Sequence, residues 1–356
     1  MKYVNSMLEV IGNTPVLKLN KVAKDVPANV FVKLEYLNPS GSYKDRMALA
    51  MIEAAEKGLT WNNRKLKPGG IVTDASAGNT APALAFVCAA KGYKAKLVVY
   101  KPMLRGGGIR LKITGAYGPD ISEAKLPSEY LPEEELKQFL ELGSDRTHII
   151  AGKMQAYELE KNDPNVVWVD QIYNKYNYIG HMTMGYELYE QLEGKIDAFG
   201  CAVGSGGSLL GVLLALAEKG VNPYSFGIHP FGSETYIDLK KLETEKGEKL
   251  EKSKWVYKLV ERIGLKKWLT EKSIMEEMIE KGYPDTFFKI TTEEARDMAN
   301  RLCREEGIYC GMSSGANVAV ALKIAQRLGK NKNVVTLIVD RRDRYLGEYP
   351  DDVFIV

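Results

Sequence analysis

The stretch Asn38-Pro39-Ser40-Gly41-Ser42-Tyr43-Lys44-Asp45-Arg46 decides how the rest of the chain is read. Pro39, Gly41, Ser40 and Ser42 form a turn, and the serine hydroxyls are candidate N-caps. Met47, Met51 and Ala55 then recur on one helical face until Gly58 stops the helix. Lys44 therefore stands in the first turn of a helix, where the aligned peptide dipoles present partial positive charge. That position disfavours the ammonium form, which suits a lysine that must be neutral to attack a carbonyl. A solvated surface lysine fits the same residues, so the reading turns on what the chain supplies elsewhere.

Upstream, Ile11-Gly-Asn-Thr-Pro15 is a turn cluster followed by alternation through Leu19, and Asn29–Leu34 reads as the strand that delivers the Lys44 turn. Downstream a repeating grammar begins. Ile71–Ala75 reads as a buried strand, Ser76-Ala77-Gly78-Asn79-Thr80 as a tight polar loop, and Pro82–Ala90 as an apolar helix closed by Gly92. Lys96–Tyr100 is the next strand. The pattern returns at Ala198–Val203, Gly204-Ser205-Gly206-Gly207-Ser208 and Leu209–Ala217. It returns again at Gly311-Met312-Ser313-Ser314-Gly315, before a helix expected from about Ala316, with Val334–Val339 a late strand. Strands alternating with helices predict mostly parallel sheet covered on both faces, with ligands gathered at the carboxyl ends of the strands.

Composition excludes several classes. The chain has 356 residues, enough for two domains, and 49 basic against 46 acidic residues give no case for nucleic acid. The four cysteines form no C-x-x-C pair, and Cys303 falls on a helical face with Ala295, Met298, Ala299 and Leu302, so it is expected in the core. Only three histidines are present, widely separated, and no metal site is expected. No apolar run reaches membrane-spanning length and the N-terminus lacks a signal pattern, so the protein is expected in the cytoplasm. Two segments stand apart: 119–147 is acidic and expected as a surface excursion with a short helix, and 232–272, rich in Lys and Glu, as exposed helices. Thr291-x-x-Glu294 reads as a capping box.

The loops suggest chemistry. Gly204–Ser208 before an apolar helix is an anion cradle: glycines let N–H groups converge, and the hydroxyls add donors. It is not the G-x-G-x-x-G dinucleotide pattern, has His229 where that pattern wants an acid, and lacks the G-K-S/T ending of a P-loop. A monophosphate fits it, and so does a plain glycine turn. Ser76–Thr80 could hold a carboxylate through N–H groups and hydroxyls, or simply cap its helix.

Together these motifs resemble the fold-type II pyridoxal-phosphate enzymes of the cysteine synthase / cystathionine β-synthase family, over nearly the whole chain and in order. Ile11–Pro15 is similar to that family's opening, and Asn38–Arg46 to its cofactor-lysine motif, which implies a Schiff base on Lys44. Ser76–Thr80 falls on the T-S-G-N-T loop, implying that Ser76, Ala77 and Thr80 bind substrate carboxylate and that Asn79 lies beside the cofactor's phenolic oxygen. Gln171, Asn174, Asn177, His181, Thr183, Gly185 and Glu187 fall on the family's Q-F-x-N-P-A-N…H…T-G-P-E segment, where the glutamine helps hold the carboxylate. Gly204, Ser205, Gly206, Gly207 and Ser208 match the G-T-G-G-T phosphate loop. Ser313 matches the serine that bonds the pyridine nitrogen, and Asp343-Arg344-Tyr345-Leu346 echoes the closing D-R-Y-L.

The resemblance implies a tryptophan synthase β-like α/β fold, two doubly wound domains with the cofactor between them. The expected domains are 1–178, carrying Lys44 and the 76–80 loop, and 179–356, with roughly 13–38 crossing into the second. It implies pyridoxal 5'-phosphate as cofactor, a homodimer, and partners limited to an amino-acid substrate and a sulfur nucleophile. The implied reaction is β-replacement: O-acetylserine or O-phosphoserine with sulfide gives cysteine. Serine condensing with homocysteine, a serine/threonine dehydratase or racemase, and a non-catalytic homologue are the alternatives. Ala77 for a serine, Ala81 for a glycine and His229 for a glutamate are departures that bear on the substrate, as does the divergence of the two segments. The basic residues Lys240, Lys241 and the 258–267 run are candidate contacts for a donor phosphate, with solvated surface as their other role.

Overall fold

The computed structural model describes residues 3–60, 62–76, 78–100, 108–125, 133, 137, 144–228 and 272–346, with side chains of the helix beginning at Ser144 described from residue 151 onward. Ala77, His229, the cluster at 240–241 and 258–267, and the 232–272 stretch up to residue 271 lie outside them.

Two sheets organise these residues. The first has order β1 (Val16–Lys18), β2 (Asn29–Leu34), β10 (Asn333–Ile338), β7 (Ala198–Ala202), β8 (Tyr224–Ile228) and β9 (Thr286–Phe288). Only β1 against β2 is antiparallel; β2, β10, β7, β8 and β9 run parallel. The second is wholly parallel, in the order β5 (Asp120–Glu123), β4 (Lys94–Val99), β3 (Ile71–Ser76) and β6 (Val166–Trp168). The strand at 120–123 corrects the expectation of a surface excursion there: Ile121 packs on the core of the second sheet.

Both faces of the first sheet are buried, as its near-continuous apolar strands require. Along β10 the side chains alternate. Val334 and Ile338 join the core made with α8 (Thr292–Glu306) and α9 (Met312–Leu328), while Val335 and Leu337 join that made with α5 (Tyr176–Gln191) and α6 (Gly207–Glu218). The second sheet packs on α1 (Lys44–Glu56) and α2 (Thr80–Lys91), where Met47, Met51 and Leu84 meet Val72, Leu97 and Val167. Short α3 (Ile109–Gly115) lies against α2, the other side of the sheet takes α4 (Ser144–Asn162), and α7 (Ile274–Glu280) precedes β9.

Several local expectations hold in detail. Gly92 ends α2 in the left-handed conformation, and Thr291 and Glu294 form a complete capping box on α8. Others change. The N-cap of α1 is Tyr43, in helical conformation and without a side-chain cap; Ser42 Oγ only accepts a 3.4 Å bond from the Lys44 N–H. Cys303 is half-buried, because α8 turns Ala295, Met298, Ala299 and Leu302 inward and leaves position 303 at the edge of that face. The helix expected near Ala316 starts at Met312, with extended Gly311 as its N-cap, so Ser313 lies inside the first turn. Among the described residues no helix is long and apolar enough to cross a membrane, and no cluster of His, Cys, Asp and Glu could hold a metal.

Candidate active site between two sheets

Lys44 is placed by the ends of three strands. Its turn is fastened to β10, where the Tyr43 N–H donates to Val339 O at 3.0 Å and Ser42 bridges to Asp340. Ser314 Oγ accepts from the Val339 N–H at 3.0 Å, so the start of α9, with Ser313, is tied to the same point. The Lys44 amine lies within electrostatic reach of Asp74 on β3 and Cys201 on β7, and Cys201 Sγ is 3.7 Å from Ser208 Oγ in the 204–208 loop. Lys44 thus stands where the end of β10 in one sheet and Asp74 of the other come together.

The half-buried amine sits 4.6 Å from the centre of the Tyr43 ring, which in turn stacks on His181 at 5.3 Å. Desolvation lowers the Lys44 pKa to about 8, with Cys201 and Asp74 pulling the other way. Burial, helped by the charges of Lys44 and Arg46, keeps the His181 ring well below its usual pKa and hence neutral.

The 204–208 segment forms an N-terminal cradle. Gly206 is the N-cap of α6 at φ 89°, a left-handed conformation that brings first-turn N–H groups toward the loop. A Cβ on Gly207 would collide with Asn177 Oδ1, whereas one on Gly204 would meet nothing within 4 Å. Asn177 Nδ2 donates to Ser205 Oγ at 3.1 Å and to Gln171 O at 2.6 Å, while its Oδ1 and both His181 nitrogens are buried without a partner among the described residues. Buried polar atoms of this kind ordinarily find a partner. Orphaned acceptors and donors beside a cradle with open space at Gly204 fit a polar, phosphate-bearing group. Gly207→Ala is expected to displace Asn177 and, if the loop holds the phosphate of the cofactor that the resemblance implies, to weaken that affinity by roughly 10-fold to 100-fold, read from the absorbance of apoprotein titrated with pyridoxal 5'-phosphate.

The 76–80 loop and Gln171 meet directly. Thr80 Oγ1 donates to Gln171 Oε1 at 2.5 Å, and Gln171 Nε2 donates to Ala75 O at 3.4 Å. Ser76 Oγ accepts from the Gly78 N–H at 3.1 Å, shaping the turn. Asn79 bridges to the far sheet: its Nδ2 donates to Asp340 Oδ2 at 2.6 Å, and Arg344 Nη1 donates to its Oδ1 at 2.5 Å. That leaves Asn79 one N–H for a ligand. Ser313 is half-buried, and its hydroxyl has no partner among the described residues.

Sequence reading missed Asp340. Its buried carboxylate also accepts from Tyr345 Oη, and burial raises its pKa despite Arg344. The signal was an acidic residue ending the apolar run 334–339. The echo at 343–346 gave Arg344, which also donates to Ser40 O, so it joins the lysine turn to the Asn79 loop.

Comparison with known proteins follows the same lines. A family model described as "Pyridoxal-phosphate dependent enzyme" matches residues 7–340. A cysteine synthase of Staphylococcus aureus is 35% identical over 347 residues, covering 97% of this chain and 96% of that protein. The cystathionine β-synthase of Oryctolagus cuniculus is 28% identical, over 99% of this chain and 57% of its own. Among solved structures, an O-acetylserine-dependent cystathionine β-synthase from Helicobacter pylori superposes with a TM-score of 0.73 at 24% identity, covering 97% of this chain and 98% of that one, which establishes a common fold. The chain belongs to the pyridoxal-phosphate-dependent enzymes of fold type II, in the group of cysteine synthases and cystathionine β-synthases, and its cofactor is pyridoxal 5'-phosphate.

Proposed function

We propose that this enzyme is a cysteine synthase, replacing the β substituent of O-acetylserine or O-phosphoserine by sulfide to give L-cysteine. The observation that supports the reading is the Thr80–Gln171 hydrogen bond, which joins two residues read as carboxylate-binding; Gln171 is in turn held by Asp74, within electrostatic reach of Lys44.

The proposed roles follow from the residues' own chemistry. Lys44 would hold the cofactor through its amine and, when neutral, would take the Cα proton of the substrate and return it. Gly204, Ser205, Gly206, Gly207 and Ser208 bind the phosphate, with Asn177 bracing Ser205. Asn79 offers its remaining N–H to the phenolic oxygen, and Ser313 its hydroxyl to the ring nitrogen. Ser76, Ala77, Thr80 and Gln171 take the substrate carboxylate, and closure over it excludes water. The bound cofactor supplies an electron sink for the carbanion at Cα. A division of the chain near residue 178, a homodimer and a cytoplasmic location belong to the same reading.

The test is the cofactor's visible absorbance with each donor in turn, followed by sulfide or homocysteine. A band that shifts with O-acetylserine or O-phosphoserine and reverts with sulfide, with cysteine as product, supports the proposal. Reversion only with homocysteine would move the assignment to cystathionine synthesis, the reading favoured by the likeness to the rabbit enzyme. Keto-acid release from serine or threonine without a thiol would make it a dehydratase.

Because Lys44 is neutral above about 8, the apoprotein should combine with cofactor faster as pH rises toward that value and level off beyond it. Stopped-flow absorbance between pH 6 and 10 measures this; a rate that falls across the range would contradict the assignment of the amine.

A further inference from the structure

Behind the 76–80 loop lies a buried charge cluster that no step above uses. Lys153, on α4, is 1% exposed; its Nζ is 3.1 Å from Asp74 Oδ1 and 2.6 Å from Asp170 Oδ1, and both carboxylates are fully buried. Burial opposes the Lys153 charge, but Asp170 and Asp74 outweigh it and raise its pKa, so the ammonium persists.

These carboxylates hold main chain on either side of the carboxylate-binding set. Asp74 Oδ2 accepts the Gln171 N–H at 3.2 Å; its Oδ1 accepts the Ala75 N–H at 2.8 Å and Trp168 Nε1 at 3.0 Å. Asp170 immediately precedes Gln171, sits at φ 41°, and accepts the Ile172 N–H at 3.3 Å. Gln171 and the loop are therefore pinned from behind by two acids whose mutual repulsion one lysine offsets. Without the cation, one acid must take a proton or move away, and either change releases acceptors that fix Gln171. Uncompensated negative charge there would also oppose an incoming carboxylate.

We propose that Lys153 is a positioning residue for the substrate's carboxylate, acting through Asp74 and Asp170 on the Gln171–Thr80 pair. The proposal rests on the reading of 76–80 and Gln171 as the carboxylate site. It distinguishes recognition of the carboxylate from recognition of the amino group.

The experiment compares L-serine with 2-aminoethanol, which lacks the carboxylate, each titrated into holoenzyme and read by the absorbance of the bound cofactor. In Lys153→Met the apparent Kd for serine should rise about 10-fold to 100-fold, with the 2-aminoethanol value and the starting absorbance unchanged. Equal weakening of both ligands, or of neither, would overturn the proposal. Should Lys153→Met fail to fold, Asp74→Asn keeps Lys153 paired with Asp170 and puts a donor in place of one of the two acceptor oxygens that hold Gln171, Ala75 and Trp168; it should lower the serine preference severalfold, and an unchanged preference overturns the proposal. Thr80→Val and Gln171→Ala separate the two levels. If they leave the serine preference intact, the carboxylate reading fails and takes the proposal with it. If they reduce it while the Lys153 variant does not, the role of Lys153 alone is refuted.

Discussion

Lys44→Ala should abolish turnover, by on the order of 10⁴-fold or more, because in the proposed scheme one side chain both anchors the cofactor and moves the Cα proton. Its absorbance should lose the band of the covalently held cofactor, while the phosphate cradle retains measurable affinity. The structure gives a reason to expect so clean a loss. The two fully buried lysines among the described residues, Lys33 and Lys153, are engaged with Glu187 and with Asp74 and Asp170, whereas the Lys44 amine has no ion pair with any described residue. Borohydride reduction of wild-type holoenzyme followed by peptide mapping should place the label on Lys44. Retained turnover in Lys44→Ala, or a label on another lysine, would refute the assignment.

Arg46→Met should cost about 3–5 kcal/mol of stability, the usual consequence of leaving buried acids without their cation. The Arg46 guanidinium donates to Glu35 twice at 2.8 Å, to Glu187 twice at 2.7 Å and to Thr183 at 2.9 Å. Glu35 also accepts from Thr14, and Glu187 pairs with Lys33 at 2.6 Å. The network fastens α1 to the end of β2, to α5 and to the N-terminal turn, so its loss should loosen the seat of Lys44. Urea unfolding measures the effect. Burial alone would raise the Glu187 pKa, but Arg46 and Lys33 hold it at about 2, against 4.5 in the unfolded chain. Its contribution is therefore complete above about 4.5 and lost as pH falls toward 2. The gap between wild type and variant should narrow across that window. A difference under about 1 kcal/mol at neutral pH would show the network to be dispensable.

The stop and start signals that sequence reads best are local, and they held where the physics is local. Gly92 and the Thr291–Glu294 box depend on backbone conformation and hydrogen bonds within one turn. The serine cap expected for α1 failed because the turn is set by a distant strand: Tyr43 donates to Val339, and that tether fixes the entry angle. Likewise α9 starts early because Gly311 N–H is held by Asp340 O. Neither partner is near in sequence.

Strand–helix alternation made the 76–80 and 204–208 loops legible as polar breaks after apolar strands, and the order of the motifs, through the family resemblance, joined Lys44, Gln171 and Ser313 to them as one expected set. Tertiary structure decided what stands behind them. Lys153 reads as an ordinary helical lysine, and Asp74 as an odd acid in an apolar strand; only the packing of α4 on β3 and β6 closes them with Asp170 into a buried cluster. A charge can be kept in such a place only if its counter-charges are brought to it, and those come from residues far apart along the chain.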